Sequence, residues 1–397
     1  MPAPEELVEH LFRHQAGRLV STLTRIFGPR HLQLAEDVVQ EALVRALELW
    51  PHRGIPENPA GWLIGVARNR ALDALRREAS LAAKAGEIAR VFSDANGSAE
   101  AMDDQLAMIF LCSHPEVPRE ARVALTLKTV CGFSTAEIAR AFLIQETAAA
   151  QRIVRAKRLV RDLSFALPEA GELAARREGV LEVLYLMFNE GYTRSAADLC
   201  EEAIRLGRLV ADHRDTRAPE ADALLALFCL QAARAPARVD AQGDLFLLAD
   251  QDRGLWDRAR ISEGMRRLDR SAAGNRITDY HLEAAIAAAH ATAPDFASTD
   301  WRFIVHQYDL LYALNASPVI ALNRAVAISR AEGAAAGLAA LDEIQEHPAL
   351  ARYYLLAATR ARLLEELGDS ADAARWYARA LECECSPAER RFLERHY

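Results

Sequence analysis

Residues 61–77 read GWLIGVARNRALDALRR, and the periodicity of this short basic stretch decides the kind of fold to expect. At about 100° per residue, Gly65, Asn69, Asp73, Arg76 and Arg77 fall along one stripe of a helix. Leu63, Val66, Ala67, Ala71, Ala74 and Leu75 supply apolar contacts on the remainder. Asn58 and Pro59 form its start, because an Asn side chain accepts from first-turn amides and proline has no amide to lose there. Arg68, Arg70, Arg76 and Arg77 against the single Asp73 make the stretch cationic in a chain whose formal net charge is -8. Phosphate attraction is the sequence-independent part of nucleic-acid binding. By itself the stretch fits an ordinary solvated arginine face equally well, so its neighbours must decide.

Working outward, residues 5–27 read as a first helix or helix pair closed by Gly28-Pro29, and residues 33–50 as a second helix stopped by Pro51. In the second, Val39, Ala42, Leu43, Ala46 and Trp50 recur on a core face while Asp37, Gln40, Glu41, Arg45 and Glu48 occupy the other. Acidic residues near a helix start stabilise it through the dipole; they also form a docking face for a basic partner. Residues 79–104 lose periodicity around Ser93-Asp94-Ala95-Asn96-Gly97-Ser98 and read as a linker. Residues 102–112 and 118–131 follow as two helices. Ser134 and Glu137 then form a capping box that starts a helix at Thr135, running to about Phe142. After a short break comes TAAAQRIVRAKRLVR, residues 147–161. That is helix, turn, helix. Residues 140–161 hold six basic side chains and one acid, Glu146, and a helix of about 22 Å can lie in a major groove.

Composition bounds the alternatives. The 397 residues are 51% hydrophobic, enough for two or three domains with their own cores. No apolar run approaches the ~18 residues of a membrane span, and MPAPEELVEHLF at the start lacks the pattern of a signal peptide, so a cytoplasmic protein is expected. The six cysteines make no CxxC pair, so neither a disulfide framework nor a structural metal site is expected. No nucleophile set, ligand cluster or glycine-rich phosphate loop indicates catalysis or a cofactor. Asn189 to Tyr192, Asp250 to Arg253 with Trp256 and Asp257, and the isolated His281, His290 and His306 read as structural polar networks. Residues 1–165 carry 21 basic and 20 acidic side chains, and the remainder 27 and 36. The acidity therefore lies in the second part, a poor DNA ligand and a reasonable protein-binding surface.

Taken together, DVVQEALVRALELW (residues 37–50), GWLIGVARNRALDALRR (61–77) and STAEIARAFLIQETAAAQRIVRAKR (134–158) resemble the extracytoplasmic-function (ECF) sigma factors of bacterial RNA polymerase. The resemblance implies an all-α chain: a region 2 domain (5–78), the linker (79–104) and a region 4 helix-turn-helix domain (105–165). Core RNA polymerase and promoter DNA are the implied partners. Asp37, Gln40 and Glu41 match the part that docks on the polymerase. Trp62, Arg68, Asn69, Asp73, Arg76 and Arg77 match the part that opens and reads the -10 element. Gln151, Arg152 and Arg155 match the recognition helix for the -35 element, with Lys157 and Arg158 as phosphate contacts. Where the family commonly has Thr followed by a β-branched residue near that helix's start, this chain has Ala148 and Ala149.

Residues 170–397 resemble the tetratricopeptide-like extension of one ECF subgroup, implying a role in supporting or regulating activity through a signalling protein or by docking within the chain. Gly191, Ala196, Cys200 and Ala203 share their offsets with Gly368, Ala373, Tyr377 and Ala380, a spacing typical of helix-pair repeats. Two other readings fit parts of the chain. One is a helix-turn-helix regulator with a solenoid sensor, which leaves the face on residues 37–50 without a role; the other is a helical enzyme built in the extension.

Overall fold

A computed structural model describes residues 4–77, 99–142, 144–193, 196–240, 244–383, 385 and 387–396. Among these residues the fold is all-α, with no strand and one isolated antiparallel bridge between Val239 and Leu245. No helix among them is long and apolar enough to cross a membrane. Residues 79–98 of the expected linker lie outside the described residues, and its remainder, 99–104, is helical. The chain divides into two compact units, residues 1–216 and 217–397.

The first unit begins with α1 (Pro4–Phe27), α2 (Leu32–Arg53) and α3 (Pro59–Arg77). The residues proposed as caps act as such: the Gly61 amide donates to Asn58 Oδ1 at 2.9 Å, fixing the start of α3. Residues 5–27 form one helix. Pro51 does not stop α2, which continues to Arg53 and ends at Gly54, φ 81°. A proline one turn from a helix end disrupts little of the hydrogen-bond ladder, and the positive φ of the glycine is what reverses the chain.

Next come α4 (Ala99–Cys112), α5 (Arg119–Thr129), α6 (Thr135–Ala141) and α7 (Glu146–Val160). The capping box at the start of α6 is reciprocal, with Ser134 N donating to Glu137 Oε2 at 2.7 Å and Glu137 N to Ser134 Oγ at 3.1 Å. Leu106, Met108, Ile109 and Phe110 of α4 are completely buried and form the middle of the unit's core.

The last helices of the first unit are α8 (Ala170–Thr193) and α9 (Ala197–Asp212). The sequence places them at the beginning of the extension, whereas the compact unit includes them. Three polar ties hold them to α4 and α5. Arg176 Nη2 donates to the Phe110 carbonyl at 3.0 Å. Arg119 pairs with Glu182 at 2.6 Å. Arg205 pairs with Glu202 at 2.6 Å and reaches Gln105 at 3.3 Å.

The second unit holds α10 (Pro219–Ala232), α11 (Arg258–Ser271), α12 (Asp279–Thr292), α13 (Trp301–Leu314), α14 (Pro318–Glu332), α15 (Ala334–Asp342), α16 (Tyr354–Glu366), α17 (Ser370–Leu381) and α18 (Pro387–His396). Each packs on its sequence neighbour, and α10 also on α12. Such local packing is that of a helical stack. In both matched repeat segments the later positions lie on a helix, and Cys200, Ala203, Tyr377 and Ala380 are all buried. Their glycines differ: Gly368 occupies a turn at φ 83°, while Gly191 lies inside α8. The polar groups read as networks hold loops here. Asp257 caps α11 through the amides of Ala259 and Arg260, and Thr278 with His281 forms a capping box on α12. Cys112, Cys131 and Cys200 in the first unit and Cys229 and Cys383 in the second are buried.

Candidate nucleic-acid interface

The face expected to dock a partner is solvent-exposed. On α2 the buried stripe of Ala35, Val38, Val39, Ala42, Ala46 and Trp50 leaves Asp37, Gln40 and Glu41 outward. Sequence reasoning missed two members of this face. Val44 and Leu47 are 51% and 56% exposed, and apolar side chains among carboxylates are typical of a protein-binding patch. The carboxylates are positioned locally. Gln33 Nε2 donates to Asp37 Oδ1 at 2.8 Å, and Glu41 pairs with Arg70 of α3 at 3.2 Å. With both partners largely exposed, that ion pair contributes about 0–1 kcal/mol.

On α3, Asn69 is exposed and Arg68 and Asp73 are half-buried. Arg68 Nε is shielded from solvent and has no hydrogen-bond partner among the described residues. Trp62 is half-buried and meets Trp50 edge to face, ring centroids 5.5 Å apart, so part of its surface holds α3 on α2. Arg76 and Arg77 end the helix.

The outward face of α7 carries Gln151, Val154, Arg155, Arg158 and Leu159. Ala149 is buried and Ala148 half-buried, which lets the start of α7 pack where a bulkier residue would project. Arg152 is partly covered and lies 3.6 Å from Glu120. Lys157 is placed differently from the other basic residues. Its ammonium is hydrogen-bonded to Glu36 of α2 and, at 2.9 Å, to Gln33. The two charged side chains are 9% and 16% exposed. Burial raises the Glu36 carboxyl above its ordinary range, opposed by Lys157 and Lys128. The chain has only three lysines, Lys84, Lys128 and Lys157, and two of them act on this carboxylate. Glu36 was legible as an anomaly: it lies one turn after Leu32, on the core stripe of α2, where a carboxylate needs a buried cation.

This pair closes a cleft of about 260 Å³ between α1 and α2 on one side and α5 and α7 on the other. Asp37 and Gln40 line it together with Ile153, Val154 and Lys157, so residues expected to face polymerase and residues of the expected DNA-reading helix border the same cleft. The base is tightly closed. A Cβ on Gly17 of α1 would lie 1.7 Å from the Val130 carbonyl oxygen at the end of α5, so only glycine allows this approach. Thr22 Oγ1 donates to Asp104 at 2.8 Å, Arg25 pairs with Asp104 at 2.8 Å, and Arg30 pairs with Asp162 at 2.9 Å.

Three parts of the chain match known families. Residues 11–80 match the family described as Sigma-70 region 2, and residues 107–160 match Sigma-70, region 4. Residues 176–272 match a family of unknown function, DUF6596. A protein of Rhizobium meliloti (strain 1021), described as uncharacterized protein R00370, is 40% identical over 390 residues, spanning 94% of this chain and 91% of that one. No solved structure matches.

Proposed function

With sigma-70 region 2 and region 4 in one chain, the protein belongs to the RNA polymerase sigma factors, and we propose that it is of the extracytoplasmic-function type with a tetratricopeptide-like extension. In this reading the exposed strip of Asp37, Gln40 and Glu41, extended by Val44 and Leu47, docks on core polymerase. Asn69, Arg68 and Asp73 on α3, with Trp62, Arg76 and Arg77, capture the unpaired -10 element, where bases are held out of the stack and arginines hold phosphates. Gln151, Arg152 and Arg155 read the -35 element in the major groove and Arg158 holds its backbone. The protein works in the cytoplasm and performs no covalent chemistry.

The observation that carries the reading is that α2 and α7, each within a matched sigma region, both turn polar side chains to solvent, Asp37, Gln40 and Glu41 on the one and Gln151, Arg155 and Arg158 on the other. Lys157 takes a double role: it ties α7 to α2 in the closed first unit, and reaches a phosphate once the cleft opens on polymerase. The extension supports activity through protein contacts, in keeping with its acidic balance. The test is transcription with purified core enzyme on a promoter library. Core binding and one shared pair of promoter elements are expected; failure to bind core polymerase would overturn the reading.

A further inference from the structure

The second unit contains a cleft of about 250 Å³ that the sigma regions do not use. Helices α12, α13, α14 and α16 surround it together with the loop at residues 247–249. Its volume lies below the ~300–1,000 Å³ common for drug-sized ligands, which excludes a folded partner or a long peptide and admits a single ring with a short arm.

One wall is aromatic. Trp301 meets His290 edge to face at 5.2 Å and Phe296 at 5.1 Å, and Tyr308 extends that wall. Ile304 and Ala327, each 1% exposed, contribute apolar surface from the local core. Two further lining residues, Arg330 and Arg362, are cationic. Arg330 Nη2 lies 2.6 Å from Glu366 Oε1, and Arg362 Nε approaches the same oxygen at 3.5 Å. Two guanidiniums thus approach one carboxylate, with Glu365 bound to the Tyr377 hydroxyl nearby. Beyond the aromatic wall, Arg253 reaches the carbonyls of His290 and Ala293, and Arg234 lies near the imidazole. Glu283 and Asp295 are the acids near this side.

His290 is the polar member of the aromatic wall. Its Nδ1 is shielded from solvent and has no hydrogen-bond partner among the described residues. Burial and the two nearby arginines lower its pKa to about 4, so the ring is neutral at pH 7. A neutral imidazole can face an apolar ring without bringing charge to this wall.

We propose that this cleft binds a small aromatic carboxylate, its ring against Trp301 and Tyr308 and its carboxylate at Arg362 and Arg330. A cationic ligand would be repelled by the two guanidiniums. An uncharged aromatic would use the wall and leave the rim unanswered. Bidentate recognition by arginine suits a carboxylate.

The test uses the full-length protein and two probes of equal shape, phenylacetate and its neutral counterpart phenylacetamide, with calorimetric titration. Phenylacetate should bind one to one, and Arg362→Gln should weaken it by roughly tenfold while leaving phenylacetamide unchanged. Arg362→Gln keeps the 2.6 Å Arg330–Glu366 pair, so the variant should fold normally. Trp301→Leu should weaken both probes. Absence of phenylacetate binding at millimolar concentration, or equal affinity in the parent and Arg362→Gln, would overturn the proposal. Retained binding in Trp301→Leu would place the ligand elsewhere and overturn it too.

Discussion

Lys157 and Arg158 are adjacent and both basic, yet the fold assigns them opposite environments. Lys157 is buried against Glu36, whereas Arg158 is exposed. Removing one partner of a buried ion pair costs about 3–5 kcal/mol, so Lys157→Met should destabilise the first unit by that order in urea unfolding. Arg158→Ala should stay within about 0.5 kcal/mol. In promoter binding, Arg158→Ala should weaken all promoters and lower the salt slope by about one. Equal stability of the two variants would remove the structural role given to Lys157. In the second unit, His290 has an ordinary pKa of 6.5 and a folded value of about 4. Its neutral form is the one the fold accepts. The corresponding stability is fully present above pH 6.5 and is lost as pH falls through about 4. Acidification across that window should cost on the order of 2–3 kcal/mol, and His290→Phe should flatten the dependence. Stability measured at pH 7, 5.5 and 4 checks this.

At the level of helices, what was legible in the sequence was local. The Asn58 cap, the capping box of Ser134 and Glu137, and the break between α6 and α7 depend on residues a few positions apart, and all are present. The pairing of Glu36 with Lys157 joins positions 121 apart, and no helical periodicity encodes which buried stripe meets which. For the same reason the sequence could not show that α8 and α9 join the first unit: the decisive ties, Arg176 to Phe110 and Arg205 to Gln105, span 66 and 100 positions. The crossing of α1 with α5 gives a test at this scale. Gly17→Val must displace the Val130 carbonyl, since even a Cβ would sit 1.7 Å from it. Cross-linking between cysteines placed at Gln33 and Val154, both on the cleft, should decline in that variant while helical content stays near that of the parent. The docking strip of α2 gives another. Asp37→Arg with Glu41→Arg should abolish core polymerase binding through like-charge contact, with unchanged circular dichroism; retained affinity would exclude this face.

For the whole molecule, the boundary at Thr216 changes where the extension can be separated. A chain ending near Leu167 exposes the surfaces of α4 and α5 that α8 and α9 cover. A chain ending at Thr216 keeps them. The longer fragment should unfold cooperatively, and the shorter one should be less stable or aggregate. If the second unit supports activity, the fragment ending at Thr216 will bind core polymerase but transcribe less than the full chain at equal occupancy. Higher output from that fragment would make the second unit an inhibitor.

The buried cysteines give the molecule an internal clock. A thiol reacts as thiolate, and burial pushes the Cys112 thiol up to about 12, so modification waits on an excursion that uncovers it. Cys112, Cys131 and Cys200 time the first unit; Cys229 and Cys383 time the second. Mass spectrometry of a single alkylation time course can therefore assign an opening rate to each unit in the native chain, without a dye, a mutation or denaturant.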